Sequence, residues 1–191
     1  MQPTGKPAPG PDRNAPRALN SSVWLYRVRG QADEPQDLIS VLPPEIVFVR
    51  GLAPEAIVGR LTRPLSEGEA ISPENFARNR AFVEFLHEVI TRHAPELAAL
   101  QDEAKRIGEG WVYVIDARTM DPRGKVSPED ILGGFEVKTG RVVPDSYRRN
   151  AKHVILSKDG FFQLDAVLRE RLLGELASRH GGKGEGKAAA K

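Results

Sequence analysis

The stretch WVYVI, residues 111–115, is a short apolar run made only of aromatic and β-branched side chains. Runs of this length and composition are typical of a central strand that is buried on both faces. Helical patterns lie before and after the run, and further β-prone segments flank it. This order predicts one α+β domain, with a small mixed or antiparallel sheet as its core, a long amphipathic helix and a C-terminal helix.

The long helix is predicted just before this strand. Its large apolar residues recur at intervals of three and four, which places them on one face. They are Phe82, Phe85, Leu86, Val89 and Ile90. We expect the helix to begin at residues 71–74, with Ser72 as the N-cap and Pro73 at the first helical position. Pro95 ends or kinks it, and a second helical stripe continues to Gly108.

Shorter patterns predict the remaining elements. They are a strand at residues 23–28, a short strand at 46–49, one or two helical turns at 52–58, a strand at 134–137, a hairpin loop at 138–140, and a last helix whose leucines lie at 164–176. The phrase Pro-Glu-x-Ile/Phe recurs at Pro54, Pro73 and Pro128. Because its spacing is irregular, we interpret it as repeated helix-start chemistry and not as a structural repeat.

Both ends of the chain differ in composition from the middle. Residues 1–20 are rich in Pro and Gly and almost free of large apolar side chains, and residues 180–191 are rich in Gly and Lys. Such segments bury too little surface to offset the entropy of ordering. We therefore expect disordered tails at 1–20 and 180–191, around a single domain at 21–179.

Composition limits the function classes that fit. Lys and Arg number 28 against 26 Asp and Glu, and the two signs are interleaved, so a nucleic-acid partner is not favoured. The absence of cysteine excludes disulfides, thiolate metal sites and cysteine nucleophiles. No stretch approaches the length of a membrane span, and no secretory signal is recognised. We expect a cytoplasmic protein, or one delivered from the cytoplasm by a route that needs no signal peptide.

Two clusters of polar residues stand out as candidate sites. Residues 87–91, HEVIT, resemble the zinc-protease helix, but the second ligand position is Thr91, so no metal is expected. We interpret His87 and His93 as solvated residues on the polar face of the helix. Residues 147–153, YRRNAKH, are locally basic; we interpret them as a solvated loop, with contact to phosphate or another anion as the alternative.

The order of motifs carries the functional hypothesis. Leu25-Tyr26-Arg27 lies on the first predicted strand, before a turn rich in Glu, Asp and Gln. A long helix then leads into residues 111–116, a Pro-Glu turn follows at 126–133, and VPDSYRRN at 143–150 closes the region. Over residues 23–150 this order resembles the cholera- and pertussis-type ADP-ribosyltransferase domains.

The resemblance implies a diverged toxin or effector domain that transfers ADP-ribose from NAD to a macromolecular target. Arg27 would grip NAD, because a pyrophosphate requires a fixed guanidinium fork. Ser72 would support the pocket and Asp121 would be the catalytic acid. NAD is then a substrate, and no metal is implied. The chain departs from the family in two places: only Ile71-Ser72-Pro73 precedes the helix where a Ser-Thr-Ser-like strand is expected, and residues 117–125 contain no Glu.

Several alternatives stay open. The same fold could be catalytically inactive and act as a protein-interaction or structural module, and in both cases a protein target or partner is expected. Arg27 could form a salt bridge with a nearby Asp or Glu instead of holding NAD. A third hypothesis, a protein associated with RNA or DNA, predicts binding that weakens steeply with salt.

Overall fold

Antiparallel strands and four α-helices make up the fold in the computed structural model, which describes residues 15–30, 34–66, 68–122 and 124–181. The strands are β1 (Arg17–Ala18), β2 (Trp24–Arg29), β3 (Pro35–Ser40), β4 (Ile57–Leu61), β5 (Phe76–Arg78), β6 (Gly110–Ile115), β7 (Ile131–Lys138), β8 (Arg141–Val142), β9 (Arg148–Arg149), β10 (Leu156–Ser157) and β11 (Gly160–Phe161). The helices are α1 (Pro44–Arg50), α2 (Arg80–His93), α3 (Ala98–Ile107) and α4 (Ala166–Gly181).

The strands form two sheets and a small hairpin. The first sheet has the order β1-β2-β3-β4-β5, and the second has β6 beside β7, with β8 and β9 both paired to β7. β10 and β11 form the hairpin, and every strand pairing described is antiparallel. The α+β prediction, with a sheet core, a long amphipathic helix and a C-terminal helix, is confirmed.

Helix α2 fills the centre of the molecule. All five residues of its predicted apolar stripe are at most 1% exposed, which confirms the stripe. The predicted start is wrong, because the helix begins at Arg80 and its N-cap is Asn79, whose side chain accepts the backbone N–H of Ala81. Residues 73–75 form a turn, and the short strand β5 separates that turn from the helix.

Residues 46–49 are helical, so the predicted strand there is wrong. Pro44 occupies an initial helical position, Glu45 lies in the first turn, and Gly51 follows the last turn with a positive φ of 77°. These end signals outweigh the β-propensity of the Ile-Val-Phe-Val sequence. The next segment was predicted as helical turns; it is a 3-10 turn over Pro54–Ala56 that leads into β4.

β6 is a strand, as predicted, but it is not buried on both faces. Val112 and Val114 point into the core, whereas Tyr113 is 52% exposed. Side chains alternate between the two faces of a strand, so the aromatic residues lie on the outer face. The hairpin loop between β7 and β8 is also confirmed: Thr139 and Gly140 both have positive φ, as a two-residue type I′ turn requires.

The molecule contains an internal structural repeat, so the interpretation of the recurring Pro-Glu phrase as helix-start chemistry alone is wrong. The first unit, residues 36–79, carries PEAIVGRL at 54–61 and PENFARN at 73–79. The second unit, residues 111–150, carries PEDILGGF at 128–135 and PDSYRRN at 144–150. Pro54 and Pro128 open equivalent 3-10 turns, each followed by a strand. The loop inside each unit differs in length, which makes the spacing irregular.

The strand registers of the two units match residue by residue. Gly59 and Arg60 lie opposite Arg78 and Ala77, and at the equivalent positions Gly133 and Gly134 lie opposite Arg149 and Arg148. A register shift also occurs at the same point of each unit, between Ile39 and Ser40 and between Val114 and Ile115. The two units therefore share this backbone irregularity as well as their strand pairing.

Residues 15–20, which composition assigns to the N-terminal tail, are part of the fold. Arg17 and Ala18 pair with Leu25 and Trp24. The Asn20 side chain accepts hydrogen bonds from the backbone N–H groups of Ser22 and Val23. At the other end, α4 extends to Gly181. Residues 1–14 and 182–191 of the predicted tails lie outside the described residues.

Candidate functional site

Arg27, the predicted NAD-binding residue, forms a salt bridge with Asp37. The two residues lie opposite each other on β2 and β3, and Nε and Nη2 of Arg27 donate to the two carboxylate oxygens of Asp37, each at 2.8 Å. The Asp37 side chain is 6% exposed and that of Arg27 34%. This hydrogen bonding raises the pKa of Arg27. The Nε and Nη2 edge of the guanidinium is therefore held by Asp37, whereas Nη1 makes no hydrogen bond in the part of the chain that the structure describes.

The other two predicted site residues lie in turns. Ser72 precedes the turn at residues 73–75; its backbone N–H donates to Asn75, and its hydroxyl bonds to Glu74 and lowers the pKa of that carboxyl. Asp121 is exposed in the turn after β6, where its carbonyl accepts the N–H of Gly124. The NAD-related roles of Arg27, Ser72 and Asp121 stay predictions.

A buried polar cluster lies behind the second sheet. Asp116 is fully buried; its Oδ1 accepts the N–H groups of Arg118 and Gln163, and its Oδ2 lies 3.1 Å from Nε2 of His153. The Arg118 guanidinium is also buried, donates to Asp130 at 2.7 Å, and bonds three backbone carbonyls. Because each charge is paired, we assign this cluster a structural role in holding the segment after β9.

His87 is buried, so its interpretation as a solvated surface residue is wrong. Nδ1 of His87 lies 2.8 Å from the hydroxyl of Tyr147, with the rings 5.9 Å apart. Burial and the nearby His153 and Arg149 lower the pKa of His87 to about 4, so the imidazole is neutral near pH 7. Burial raises the pKa of Tyr147, which keeps its proton. The pair is a neutral hydrogen-bonded couple.

The other predicted surface histidine also has a partner. Nε2 of His93 lies 2.7 Å from Glu175 on α4, which Arg92 contacts as well. The basic segment 147–153 is likewise not a simple solvated loop, because Tyr147 is half-buried and His153 is buried. Arg148 and Arg149 within it are exposed, and they point to opposite faces of β9.

A polar groove of about 800 Å³ lies between α2 and the segment that leads into β9. Glu84, His87, Glu88, Asp145, Tyr147 and Arg149 are among its lining residues. Arg80 pairs with Glu84, and Arg179 pairs with Glu88. Asp145 and Arg149 have no ion-pair partner within the described part of the chain. The groove therefore offers one available carboxylate, one available guanidinium and a neutral imidazole.

An aromatic groove of about 370 Å³ lies on the outer face of the second sheet. Trp111 and Tyr113 form one wall, and the Arg148 guanidinium lies 5.1 Å from the centre of the Trp111 ring, a cation–π contact. Tyr113 packs against Gly134, where a Cβ would lie 2.9 Å from the ring. Pro128, Ile131 and Asn150 complete the lining. We call this surface the aromatic groove below.

The repeat shows which residues the fold itself does not require. Positions equivalent to Trp111, Tyr113 and Arg148 in the first unit are Gln36, Leu38 and Ala77. The same backbone therefore forms without an aromatic groove. Sequence reasoning missed the aromatic groove, and it offered contact of residues 147–153 with an anion only as the alternative to a solvated loop. The signal that could have found both grooves was PDSYRRN at 144–150, which aligns with PENFARN at 73–79.

Comparison with protein-family models, with curated proteins and with solved structures finds no match for the chain. Over residues 15–30, 34–66, 68–122 and 124–181, no helix is long and apolar enough to cross a membrane. No group of three or more His, Asp or Glu side chains suited to a metal ion occurs among the described residues.

Proposed function

We propose that this chain is a protein-interaction module that binds an extended, proline-rich segment of a partner in the aromatic groove. The observation that carries the proposal is the exposed Tyr113 beside the partly buried Trp111, placed on a repeated scaffold that folds without them. An aromatic ring that stays half exposed leaves apolar surface in water, and such surface marks binding sites. This is the catalytically inactive alternative that the sequence left open.

The hydrogen-bonding groups of the aromatic groove determine the kind of partner. The indole N–H of Trp111 and the hydroxyl of Tyr113 make no hydrogen bond within the described part of the chain, and the Asn150 amide is used internally. The groove thus presents aromatic faces together with unused donors. Proline-rich segments offer rigid apolar rings and carbonyls without a matching N–H, and they bind aromatic-lined grooves elsewhere.

The hydrogen bonding of Arg27 to Asp37 supports an interaction module over an NAD-dependent transferase. Its guanidinium makes two hydrogen bonds to Asp37, a carboxylate that is almost fully buried. Releasing Arg27 to a dinucleotide would leave that buried carboxylate without its charge partner, which is strongly unfavourable. Catalysis would also require an acid positioned across a shared pocket.

The experiment is a titration of the protein with a decaproline peptide and with a Gly-Ser peptide of equal length. The chain has two tryptophans, so the indole N–H signal of Trp111 reports on the groove while that of Trp24 is an internal control. We expect a saturable shift of the Trp111 signal with decaproline alone. Tyr113→Leu should weaken binding about fivefold, because a stacking contact of this kind is worth about 1 kcal/mol.

The matched control is Leu38→Ala, at the position in the first unit that corresponds to Tyr113. It should leave decaproline binding within about twofold of the unmodified protein. Shifts of equal size with both peptides, or no shift of Trp111 at millimolar peptide, would contradict the proposed function.

A further inference from the structure

The polar groove between α2 and β9 has groups that the fold does not use. Nε2 of His87 makes no hydrogen bond within the described residues and is not sealed from solvent, while Nδ1 is held by Tyr147. The Tyr147 hydroxyl is 2.8 Å from this nitrogen and 3.4 Å from the carbonyl of Leu132. At 3.4 Å the contact to Leu132 is longer than an ordinary O–H···O hydrogen bond, so we assign the phenol proton to the bond with Nδ1. The imidazole proton is then on Nε2, the nitrogen without a hydrogen bond in this part of the chain.

Arg149 supplies the second donor group. It lines the same groove, and its guanidinium has no carboxylate partner among the residues that the structure describes. The equivalent residue in the first unit is Arg78, and the residue equivalent to Tyr147 is Phe76, which packs against Phe161. Only the second unit therefore places an arginine beside a phenol and an imidazole.

The charged residues that line the groove determine whether these donors bind a phosphate or a carboxylate. Glu84 and Glu88 are already paired, and Asp145 lines the groove without a partner among the described residues. Arg92 also lines the groove and is paired with Glu175. The unpaired charges are therefore those of Asp145 and Arg149, and a single guanidinium does not balance a doubly charged phosphate beside an unpaired carboxylate. A carboxylate carries a single charge and matches the planar guanidinium fork. Asp145 can in turn accept an ammonium group.

We propose that the groove between α2 and β9 binds a carboxylate ligand of the amino-acid type, held by Arg149 and by Nε2–H of His87. The carboxylate belongs either to a free amino acid, whose ammonium group Asp145 would receive, or to the C terminus of a peptide. Tyr147 is a positioning residue that fixes the imidazole. The site is on the face of β9 opposite Arg148, so it is independent of the aromatic groove.

The experiment is an NMR titration of the full chain with alanine, N-acetylalanine, N-acetylalanine methylamide and inorganic phosphate. We expect the compounds with a carboxylate to shift the signals of His87 and Arg149, and the methylamide to have no effect. If the source is a free amino acid, alanine binds more tightly than N-acetylalanine and Asp145→Asn removes the difference. If it is a peptide terminus, N-acetylalanine binds at least as well.

Two arginine variants make the test specific. Arg149→Gln should weaken carboxylate binding by about tenfold or more, because a charge-assisted contact is lost. Arg78→Gln, at the equivalent exposed position of the first unit, should change it less than about twofold. Tyr147→Phe should weaken binding and change the tautomer-sensitive nitrogen shifts of His87. Equal effects of the two arginine variants, equal binding of the methylamide, or tighter binding of phosphate would overturn the proposal.

Discussion

Asn79 and Asn150 make the same set of hydrogen bonds at equivalent ends of the two units. Nδ2 of Asn79 donates to the carbonyls of Pro54 and Ile57, and Nδ2 of Asn150 donates to those of Pro128 and Ile131, all within 2.6–2.8 Å. The Oδ1 atom of each accepts the backbone N–H two residues later. In each unit one side chain, directly after the third strand, therefore holds the 3-10 turn and the first residue of the second strand. We call this contact the asparagine clamp.

Replacing either asparagine with alanine should destabilise the fold. Asn150→Ala leaves the carbonyls of Pro128 and Ile131 without these donors, and an unsatisfied polar group costs about 1–3 kcal/mol. Asn79→Ala should cost at least as much, because this residue also caps α2. Urea unfolding followed by far-UV circular dichroism measures both. Lys152→Ala, at an exposed position, serves as the control. A decrease in the free energy of unfolding below about 0.5 kcal/mol in both asparagine variants would contradict the proposed role of the asparagine side chains.

Glycines at the equivalent positions 59 and 133 should be indispensable for packing. A Cβ at Gly133 would lie 2.5 Å from the Tyr147 hydroxyl and 2.7 Å from a backbone oxygen, and at Gly59 it would lie 2.4 Å from the carbonyl of Ala77. We expect Gly133→Ala and Gly59→Ala each to lower the free energy of unfolding by about 1–3 kcal/mol or more.

The helical Gly174 provides the control for these glycine variants, since a Cβ there meets nothing within 4 Å. Gly174→Ala should raise stability by about 0.5–1 kcal/mol, because alanine is the better helix former. Thermal unfolding of the three variants, under identical conditions, would show whether Gly174→Ala raises the stability while Gly59→Ala and Gly133→Ala lower it. A stabilised Gly133→Ala protein would mean that the Tyr147 ring does not lie against β7 in solution.

The buried His87 should make stability depend on pH. Its pKa is about 4 in the folded protein against an ordinary 6.5, so below pH 6.5 the unfolded chain binds a proton that the folded chain does not. Stability contributed by the neutral imidazole is present above pH 6.5, falls between pH 6.5 and 4, and is lost below that. The total effect is on the order of 3 kcal/mol.

Urea unfolding of the unmodified protein and of His87→Gln, at pH 7.0 and 4.5, tests this dependence. The unmodified protein should lose more stability between the two pH values than the variant, by about 1–3 kcal/mol. His93→Gln is the control, since that residue pairs with Glu175 near the surface. Parallel losses in the unmodified protein and His87→Gln would show that another group is responsible.

Labelled NAD distinguishes the proposed interaction module from the transferase that the sequence resemblance implies. With Arg27 bonded to Asp37, we expect no NAD hydrolysis, no transfer of label to protein and no saturable NAD binding. Arg27→Ala should instead lower stability, because it leaves the buried Asp37 without its partner; the cost of such a loss is about 3–5 kcal/mol in fully buried pairs and smaller here, where Arg27 is partly exposed. NAD turnover that Arg27→Ala abolishes would restore the transferase hypothesis.

Sequence patterns predicted the elements whose signals are long or strongly periodic. The stripe from Phe82 to Ile90 defines α2, and Lys-Thr-Gly at 138–140 predicts the hairpin loop between β7 and β8. Prediction failed where local signals conflict with tertiary contacts. Residues 46–49 have strand propensity but lie between helix-start and helix-stop residues, and Ser72 resembles a helix N-cap although β5 intervenes before the helix.

The candidate sites were harder to predict than the fold. Whether His87 is buried depends on Tyr147, which lies 60 residues further along the chain, and no local pattern encodes that contact. Arg27 is the opposite case, because its partner Asp37 is ten residues away across a predicted turn, and the salt-bridge alternative could be stated in advance. Pairings set by hairpins are accessible from sequence, whereas grooves formed by distant segments are not.

The paired asparagine clamps also bear on how the chain folds. Each clamp closes a loop of similar length, 25 residues in the first unit and 22 in the second. Closure entropy grows only with the logarithm of loop length, so the two closures differ by about 0.1 kcal/mol. The entropic cost of loop closure therefore does not favour either unit as the folding nucleus. The two units differ instead in the rings that pack on them: Phe76 of the first contacts Phe161, and Tyr147 of the second contacts His87.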